Sequence, residues 1–229
     1  AKNEIGFKNL SKLVSISYLD NDNYNNPYVS FKNIKNYSKN LICLAGGQFG
    51  FISKNYLKET SSKSDEAIKN LYEIFEDDFF LEIQKSKNEN LELCKYIIKK
   101  SNDLKIPLVA TNENFFLNKS FYQSHDALLS ISEQKYLESE DRLQSNEDYC
   151  FKDEIDIVKD FNQIPDAVEN TLIIAKKCSF FLEEKSPKLP KININNSDEN
   201  TYLKTKSFQG LEKRFKKKSI NRNEYKIYE

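Results

Sequence analysis

Two carboxylates draw attention because each stands where a predicted β-strand ends. Glu82 lies in "FFLEIQ", and Glu113 follows "IPLVATN". Ligands of α/β proteins bind beyond the carboxyl ends of the strands, and carboxylates suit a hard cation such as Mg²⁺. Asp126 and Asp141 could join such a cluster. Because charged residues make up 31% of the chain and most of them only solvate the surface, we single out Glu82 and Glu113.

His125 is the only histidine of the sequence. A pair of catalytic histidines and a histidine-rich metal cage are therefore excluded within these residues. His125 lies in "SHDALL", at the predicted start of a helix, where short polar side chains commonly cap the first turn. We predict a structural or capping role for His125 and Asp126.

A basic run, "EKRFKKKS", lies towards the end of the sequence. Two interpretations are open. The run could contact a phosphate backbone, or it could complement the dipole at the end of a solvated helix, which we favour. The candidates for the weaker nucleic-acid interpretation are Lys213, Arg214, Lys216, Lys217 and Lys218.

Composition limits the classes of function. Basic and acidic residues both number 35, so the formal net charge is zero and no global field attracts nucleic acid or membranes. Four cysteines are widely spaced, and we expect Cys94 and Cys178 to be buried free thiols in a reducing cytosol. No apolar run reaches the roughly 20 residues of a membrane helix. These features predict a cytoplasmic protein without a membrane contact.

The predicted elements alternate in the first half of the sequence. Phe7, Leu10 and Val14 form a helical stripe in "EIGFKNLSKLVSISYL". The short apolar runs "LICLA", "FFLEIQ" and "IPLVATN" are typical of buried strands, with helices predicted between them, the last ending at the lysines of "IIKK". Such alternation indicates parallel strands joined by right-handed crossovers, which is an α/β sheet or barrel. The glycine-rich "AGGQFG" after the first strand lacks the residues of a phosphate loop and predicts a turn.

Helices dominate the second half. We predict them in "FYQSHDALLSIS", "DEIDIVKDF" and "PDAVENTLIIAKKC", the last with Pro165 in its first turn. The segment "EEKSPKLPKININN" is expected to be extended around its prolines. A final helix is expected to start at a Ser197 cap. The sequence contains no Met and begins inside a predicted helix, which suggests a piece of a longer protein.

Taken in order, these segments resemble the family of bacterial DNA polymerase III alpha subunits. The resemblance is carried by "AKNEIGFKNL", "LICLAGGQFG", "FFLEIQ", "IPLVATNENFF", "SHDALLSIS", "EDR", "FNQIPDAVENTLIIAKKC", "PKLP" and "QGLEKR". It implies the second half of a polymerase and histidinol phosphatase (PHP) domain, a distorted β/α barrel with parallel strands, followed by a helical connector region. The implied parts are residues 1–118 in the barrel, 119–185 in its helical remainder, and 186–229 in the connector and first helix towards the polymerase core.

The resemblance also bears on metal binding. Some relatives use a metal cluster in this barrel for phosphoesterase or 3′ to 5′ exonuclease chemistry, with a Cys after the first strand and an Asp and a His after "ATN". This sequence has Gly47, Glu113 and Phe115 at those places. Gly and Phe offer no ligand to a hard or borderline cation. We therefore expect no metal here, and we expect Phe115 to pack inward over the space where relatives hold metal.

The implied function is that of a replicative polymerase fragment without its own active site. The resemblance implies that the full-length chain synthesises DNA with magnesium, while this piece binds no cofactor. It also implies a surface for the proofreading exonuclease subunit, contacts with other holoenzyme subunits, and DNA bound through the rest of the chain. Phe121 and Tyr122 are candidates for the docking surface. The alternatives are a free-standing metal-dependent phosphoesterase or 3′ to 5′ exonuclease of the PHP superfamily, and a pure interaction module.

Overall fold

The computed structural model describes residues 1–20, 26–58, 60–85, 90–184, 186–188, 194 and 198–218. Within them, three parallel strands form one sheet in the order β1, β2, β3. The strands are β1 (Cys43–Gly46), β2 (Phe79–Gln84) and β3 (Leu108–Thr111). The helices are α1 (Glu4–Leu19), α2 (Phe31–Tyr37), α3 (Phe51–Lys58), α4 (Ser61–Phe75), α5 (Leu91–Leu104), α6 (Tyr122–Glu133), α7 (Glu154–Asp160), α8 (Pro165–Lys177) and α9 (Glu199–Lys218).

Strands that follow one another in the sequence are neighbours in the sheet, and each crossover connection contains at least one helix. Two helices, α3 and α4, connect β1 to β2, and α5 connects β2 to β3. The predicted α/β architecture with parallel strands is therefore confirmed. The sequence did not predict α3, because its eight residues directly follow a glycine-rich turn that ends in Gly50, which has no side chain to cap a helix.

An apolar core lies between β2 and the helices α3, α4 and α5. Phe79 and Leu81 of β2 are fully buried in it, and burying side chains of this size stabilises a fold by about 1.5–3 kcal/mol each. The other members are Ile52, Ala67, Ile68, Leu71, Leu93, Ile97 and Ile106.

The open edge of the sheet at β3 is covered by α8. The side chain of Asn170 donates a hydrogen bond to the carbonyl of Leu108 at 2.7 Å, which satisfies a backbone acceptor that an edge strand leaves free. Ile83 and Ala110 pack here against Phe161 and Ala167. The helical segment after the sheet therefore completes the same fold.

Two expectations about local structure are wrong. Helix α5 does not end at the lysines of "IIKK" but continues to Leu104, where Lys105 adopts the left-handed conformation that ends helices. Cys94 and Cys178 are only partly buried, and Cys150 is the buried thiol. Cys178 is the C-terminal cap of α8, where it is half-buried in line with Ile174 one turn earlier.

The apolar stripe of α1 is largely exposed. Phe7, Leu10 and Val14 are 38%, 43% and 53% accessible, whereas the buried positions of this helix are Gly6 and Ile16. The predicted helix is thus correct in its bounds, but its apolar stripe is not the face that packs.

The chain divides into two compact units, Ala1–Leu182 and Glu183–Glu229. The second contains α9, whose first backbone N–H groups are capped by Asp198. The predicted cap, Ser197, lies outside the described residues. In the described part of the chain, no helix has the length and apolar character that a membrane crossing requires.

Candidate functional site

The carboxyl ends of the three strands meet at one edge of the sheet, because the strands are parallel. Gly46 lies opposite Glu82, and Gln84 lies opposite Thr111. Side chains alternate between the two faces of a strand, so Glu82 and Gln84 project to the same face. This edge is the site where the sequence predicted functional carboxylates.

Glu82 connects two strands through a short hydrogen bond. The hydroxyl of Thr111 donates to Oε1 of Glu82 at 2.5 Å, and the amide of Gln84 lies 3.4 Å from the same oxygen. Hydrogen bonds to a charged acceptor are roughly twice as strong as those between neutral groups. Glu82 therefore fastens the end of β2 to the end of β3.

Gln84 holds the loop after β1 by a hydrogen bond. Its Oε1 accepts a hydrogen bond from the backbone N–H of Gln48 at 2.9 Å. Gly47 enables this approach, since its φ of +53° is left-handed and a Cβ there would lie 3.2 Å from Oε2 of Glu82. The polar side chains of β2 thus hold the end of β3 on one side and the loop after β1 on the other.

Glu113 lies beyond β3, next to a cavity of about 10 Å³ that is lined by Gln48, Gln84, Lys85, Asn112, Glu113 and Tyr149. Burial, followed by the negative charge of Glu82, raises the pKa of Glu113. Burial and Glu113 in turn raise the pKa of Tyr149. The edge of the sheet therefore disfavours further negative charge.

Asn112 and its neighbours are tied to a distant segment. The side-chain amide of Asn112 donates to the carbonyl of Cys150 at 3.0 Å. The backbone N–H of Phe115 donates to the carbonyl of Tyr149 at 2.9 Å, and that of Phe151 donates to Phe116. Residues 112–116 are consequently fixed by residues 149–151, which follow α6 in the sequence.

The expectation that Phe115 packs inward is wrong. Its side chain is 58% exposed. The ring stacks on His125, with 5.2 Å between ring centroids and 13° between the planes, and meets the edge of Tyr149. The backbone hydrogen bond to Tyr149 and these two rings direct Phe115 to the surface.

His125 and Asp126 lie inside α6, and neither caps it, since this helix has no side-chain cap. Nδ1 of His125 is 2.6 Å from the hydroxyl of Ser145. Asp126 accepts two hydrogen bonds from Arg142, at 2.9 and 2.7 Å, and one from the backbone N–H of Ser145. The Arg142 hydrogen bonds hold the pKa of Asp126 below its ordinary value. Both side chains fasten residues 142–145 onto α6.

The residues at the sheet edge do not fit a multi-metal centre. Gly47 and Phe115 provide no donor atom, and one oxygen of Glu82 is engaged by Thr111. Among the described residues, no group of three or more His, Cys, Asp or Glu side chains could hold a metal ion. Asp141, the fourth carboxylate considered from the sequence, forms an ion pair with Lys135 at 3.1 Å.

Comparisons with known proteins identify a matching family model and several relatives. Residues 1–86 match the family model of the PHP domain. The chain is 32% identical over 191 residues to the DNA polymerase III subunit alpha of Caulobacter vibrioides, which covers 83% of the chain and 17% of that protein. The chain is homologous to one part of the DNA polymerase III alpha subunit.

Further relatives support the same assignment. The subunit alpha of Rickettsia bellii is 34% identical over 212 residues, which cover 92% of the chain and 18% of the relative. That of Borreliella burgdorferi is 31% identical over 235 residues, which cover 100% and 20%. The chain thus spans about a fifth of the length of these relatives. Together with the parallel sheet, the family match shows a partial PHP-type α/β fold.

Sequence reasoning missed several residues of the site. Gln84 could have been found, because strand alternation places it on the same face as Glu82. The roles of four other residues could not have been predicted, because they depend on contacts between distant segments. These residues are Thr111, Arg142, Ser145 and Tyr149. Lys213, Arg214 and Lys216 are exposed on α9 in the other unit, and the side chains of Lys217 and Lys218 lie outside the described part.

Proposed function

We propose that the chain is a structural, metal-free PHP region of a replicative DNA polymerase alpha subunit. The observation that carries the proposal is the homology to polymerase III alpha subunits over 83–100% of the chain. In this proposal the full-length protein performs DNA-directed DNA synthesis with magnesium, in the cytoplasm, and the region described here supplies no catalytic group.

Side-chain hydrogen bonds take the place of metal ligands in this proposal. A metal cluster would connect the strand ends through ions that several residues bind. Here the hydroxyl of Thr111 donates a hydrogen bond to Glu82, and the backbone N–H of Gln48 donates one to Gln84. The donor set favours a structural role, because a water-activating centre needs several ligands around an open coordination position.

A docking role for the proofreading exonuclease subunit is supported by apolar side chains that are exposed on α6 and at Phe121, the residue that precedes this helix. Asp126 and Ser130 face the protein and are largely buried. Phe121, Leu128 and Ile131 recur at helical spacing and are 48%, 61% and 72% exposed. An exposed apolar stripe of this kind is typical of a protein interface. We propose this stripe, rather than the half-buried Tyr122, as the contact with that subunit within the polymerase III assembly.

The proposed function is tested with the purified full-length protein. We expect it to extend a primer with magnesium and dNTPs, and to leave a labelled 3′ end intact when dNTPs and the exonuclease subunit are omitted. Removal of 3′ nucleotides that a chelator stops, and that Glu113→Gln abolishes while Glu138→Gln does not, would instead establish a metal-dependent nuclease in this domain.

A further inference from the structure

Helix α9 has an uneven charge distribution. Residues 199–218 contain seven basic and two acidic side chains. Of the basic ones, Lys204, Lys206, Lys213, Arg214 and Lys216 are exposed in the described part of the helix. The apolar residues Phe208, Leu211 and Phe215 recur at spacings of three and four and therefore share one face.

The helix dipole accounts for only some of these cations. It favours positive charge in the last turn, and the effect falls off beyond it. Lys206 and Lys213 lie further towards the N-terminus than the last turn of α9, which ends at Lys218. The ammonium of Lys206 lies over the ring of Tyr202, but a neutral ring does not cancel its charge. A second explanation is therefore needed for the cations in the middle of the helix.

Intrahelical ion pairs do not supply that explanation. No acidic residue stands three or four positions from Lys206, Lys213 or Arg214 in the sequence. Instead, Lys213 is followed by lysines at both of these spacings, and like charges at such spacings destabilise a helix. By contrast, Lys8, Lys69 and Lys95 each pair with a glutamate of their own helix.

Gly210 lies in the centre of this basic face. Lys206 precedes it by four residues, and Lys213 and Arg214 follow it by three and four, so that all three surround it on the helix surface. Glycine is unfavourable in a helix interior. No packing contact requires glycine at position 210, since a Cβ there would meet no atom within 4 Å. Glycine does, however, permit close approach of a ligand to the backbone.

We propose that the face of α9 around Gly210 binds the phosphodiester backbone of nucleic acid, with Lys206, Lys213 and Arg214 neutralising phosphates. The proposal rests on the proposed function, because a polymerase supplies the polyanion. Phosphate contacts carry no base information, so this face binds without sequence preference. Ionic contacts with phosphates relieve the repulsion among the cations, and the missing side chain at Gly210 lets a phosphate reach the helix surface.

The first experiment compares two triple variants of the full-length protein in binding fluorescent primer–template DNA over a range of KCl concentrations. K206Q/K213Q/R214Q should bind more weakly, equally so for unrelated sequences. The plot of the logarithm of the binding constant against the logarithm of the KCl concentration has a negative slope. This slope should become less steep by about 0.9 for each phosphate that is no longer neutralised. The control K8Q/K69Q/K95Q removes the same charge from lysines that have acidic partners, and should retain the slope of the unmodified protein.

Gly210 provides an independent variant. Gly210→Leu covers the proposed contact without removing charge, and it should weaken DNA binding while the helix is retained, because leucine favours helices more than glycine. Gly210→Ala adds one methyl group and should weaken binding less.

Unchanged affinity and slope in both the triple variant and Gly210→Leu would overturn the proposal. It would also be overturned if the triple variant lowered the thermal midpoint without affecting DNA binding, since the face would then contact the protein itself. Absence of DNA binding by the unmodified full-length protein would contradict the proposed function as well.

Discussion

At the scale of single residues, the pair Glu82 and Thr111 determines how the sheet edge is held. The hydroxyl of Thr111 is the donor at 2.5 Å from Glu82. Both side chains are partly buried, so water replaces this bond only incompletely if the hydroxyl is removed. The bond therefore contributes to the stability of the sheet edge.

Thr111→Val keeps the β-branched shape and removes the donor. We expect a decrease of about 1.5–3 kcal/mol in the free energy of unfolding, the usual cost for a hydrogen bond to a charged group. Urea unfolding of the full-length protein, followed by hydrogen exchange of β2 and β3, measures it. Thr171→Val, at an exposed position of α8, is the control and should change stability by less than about 0.5 kcal/mol.

Glu113 makes stability depend on pH. Its pKa is raised by burial and by Glu82, so the folded state holds the proton more tightly than the unfolded state. Stability should therefore fall as pH rises from the ordinary pKa of a glutamate through the raised one. Glu113→Gln should lack this fall and be the more stable protein at neutral pH. Parallel pH profiles for Glu113→Gln and the unmodified protein would contradict the explanation.

At the scale of elements, α6 depends on Arg142 for its attachment to the loop that follows it. The guanidinium donates to both oxygens of Asp126 and to the carbonyls of Leu137 and Leu143. The planar fork of arginine makes these bonds simultaneously, which a lysine ammonium cannot do. The loop is thus ordered by the planar geometry of the Arg142 guanidinium as well as by its charge.

Arg142→Lys should release this loop while preserving its charge. We expect cleavage by a nonspecific protease within residues 136–144 to become several-fold faster, with the rest of the pattern unchanged, as followed by mass spectrometry. Lys159→Arg on α7 serves as a control for a neutral exchange of basic residues. Equal cleavage rates for Arg142→Lys and the unmodified protein would show that the fork does not order the loop.

The apolar stripe of α6 leads to a prediction about the exonuclease subunit. Leu128→Glu with Ile131→Glu should reduce its retention on the full-length polymerase at least tenfold, since two charges would be placed in an apolar interface. Co-purification and surface plasmon resonance measure the effect. Leu172→Glu, at an exposed apolar position of α8, should retain the subunit. Equal retention by both variants would exclude the stripe as the contact.

Elements could be predicted from sequence where local signals suffice. "EIGFKNLSKLVSISYL" and "FFLEIQ" coincide with α1 and β2, because helical spacing and apolar character define them locally. Tertiary contacts could not be predicted. Phe115 turns outward because His125 and Tyr149, ten and 34 positions away, provide its partners. The same holds for Thr111, which meets Glu82 across 29 positions.

At the scale of the whole molecule, the proposed function places DNA synthesis outside the residues of this chain and gives the chain a supporting role. Its relatives are between five and six times as long as the matched region, and the sheet edge presents hydrogen-bonded Glu82 and Gln84. The role of the unit that contains α9 is separate, since its basic face is proposed to contact nucleic acid.

The most direct test of the metal-free, structural role is the metal content of the full-length protein after gel filtration without added metal, combined with thermal unfolding before and after chelation. We predict less than stoichiometric zinc, manganese and iron, and the same unfolding midpoint for the PHP region with and without chelator. Stoichiometric transition metal, together with a midpoint that falls on chelation and recovers when metal is restored, would contradict that role.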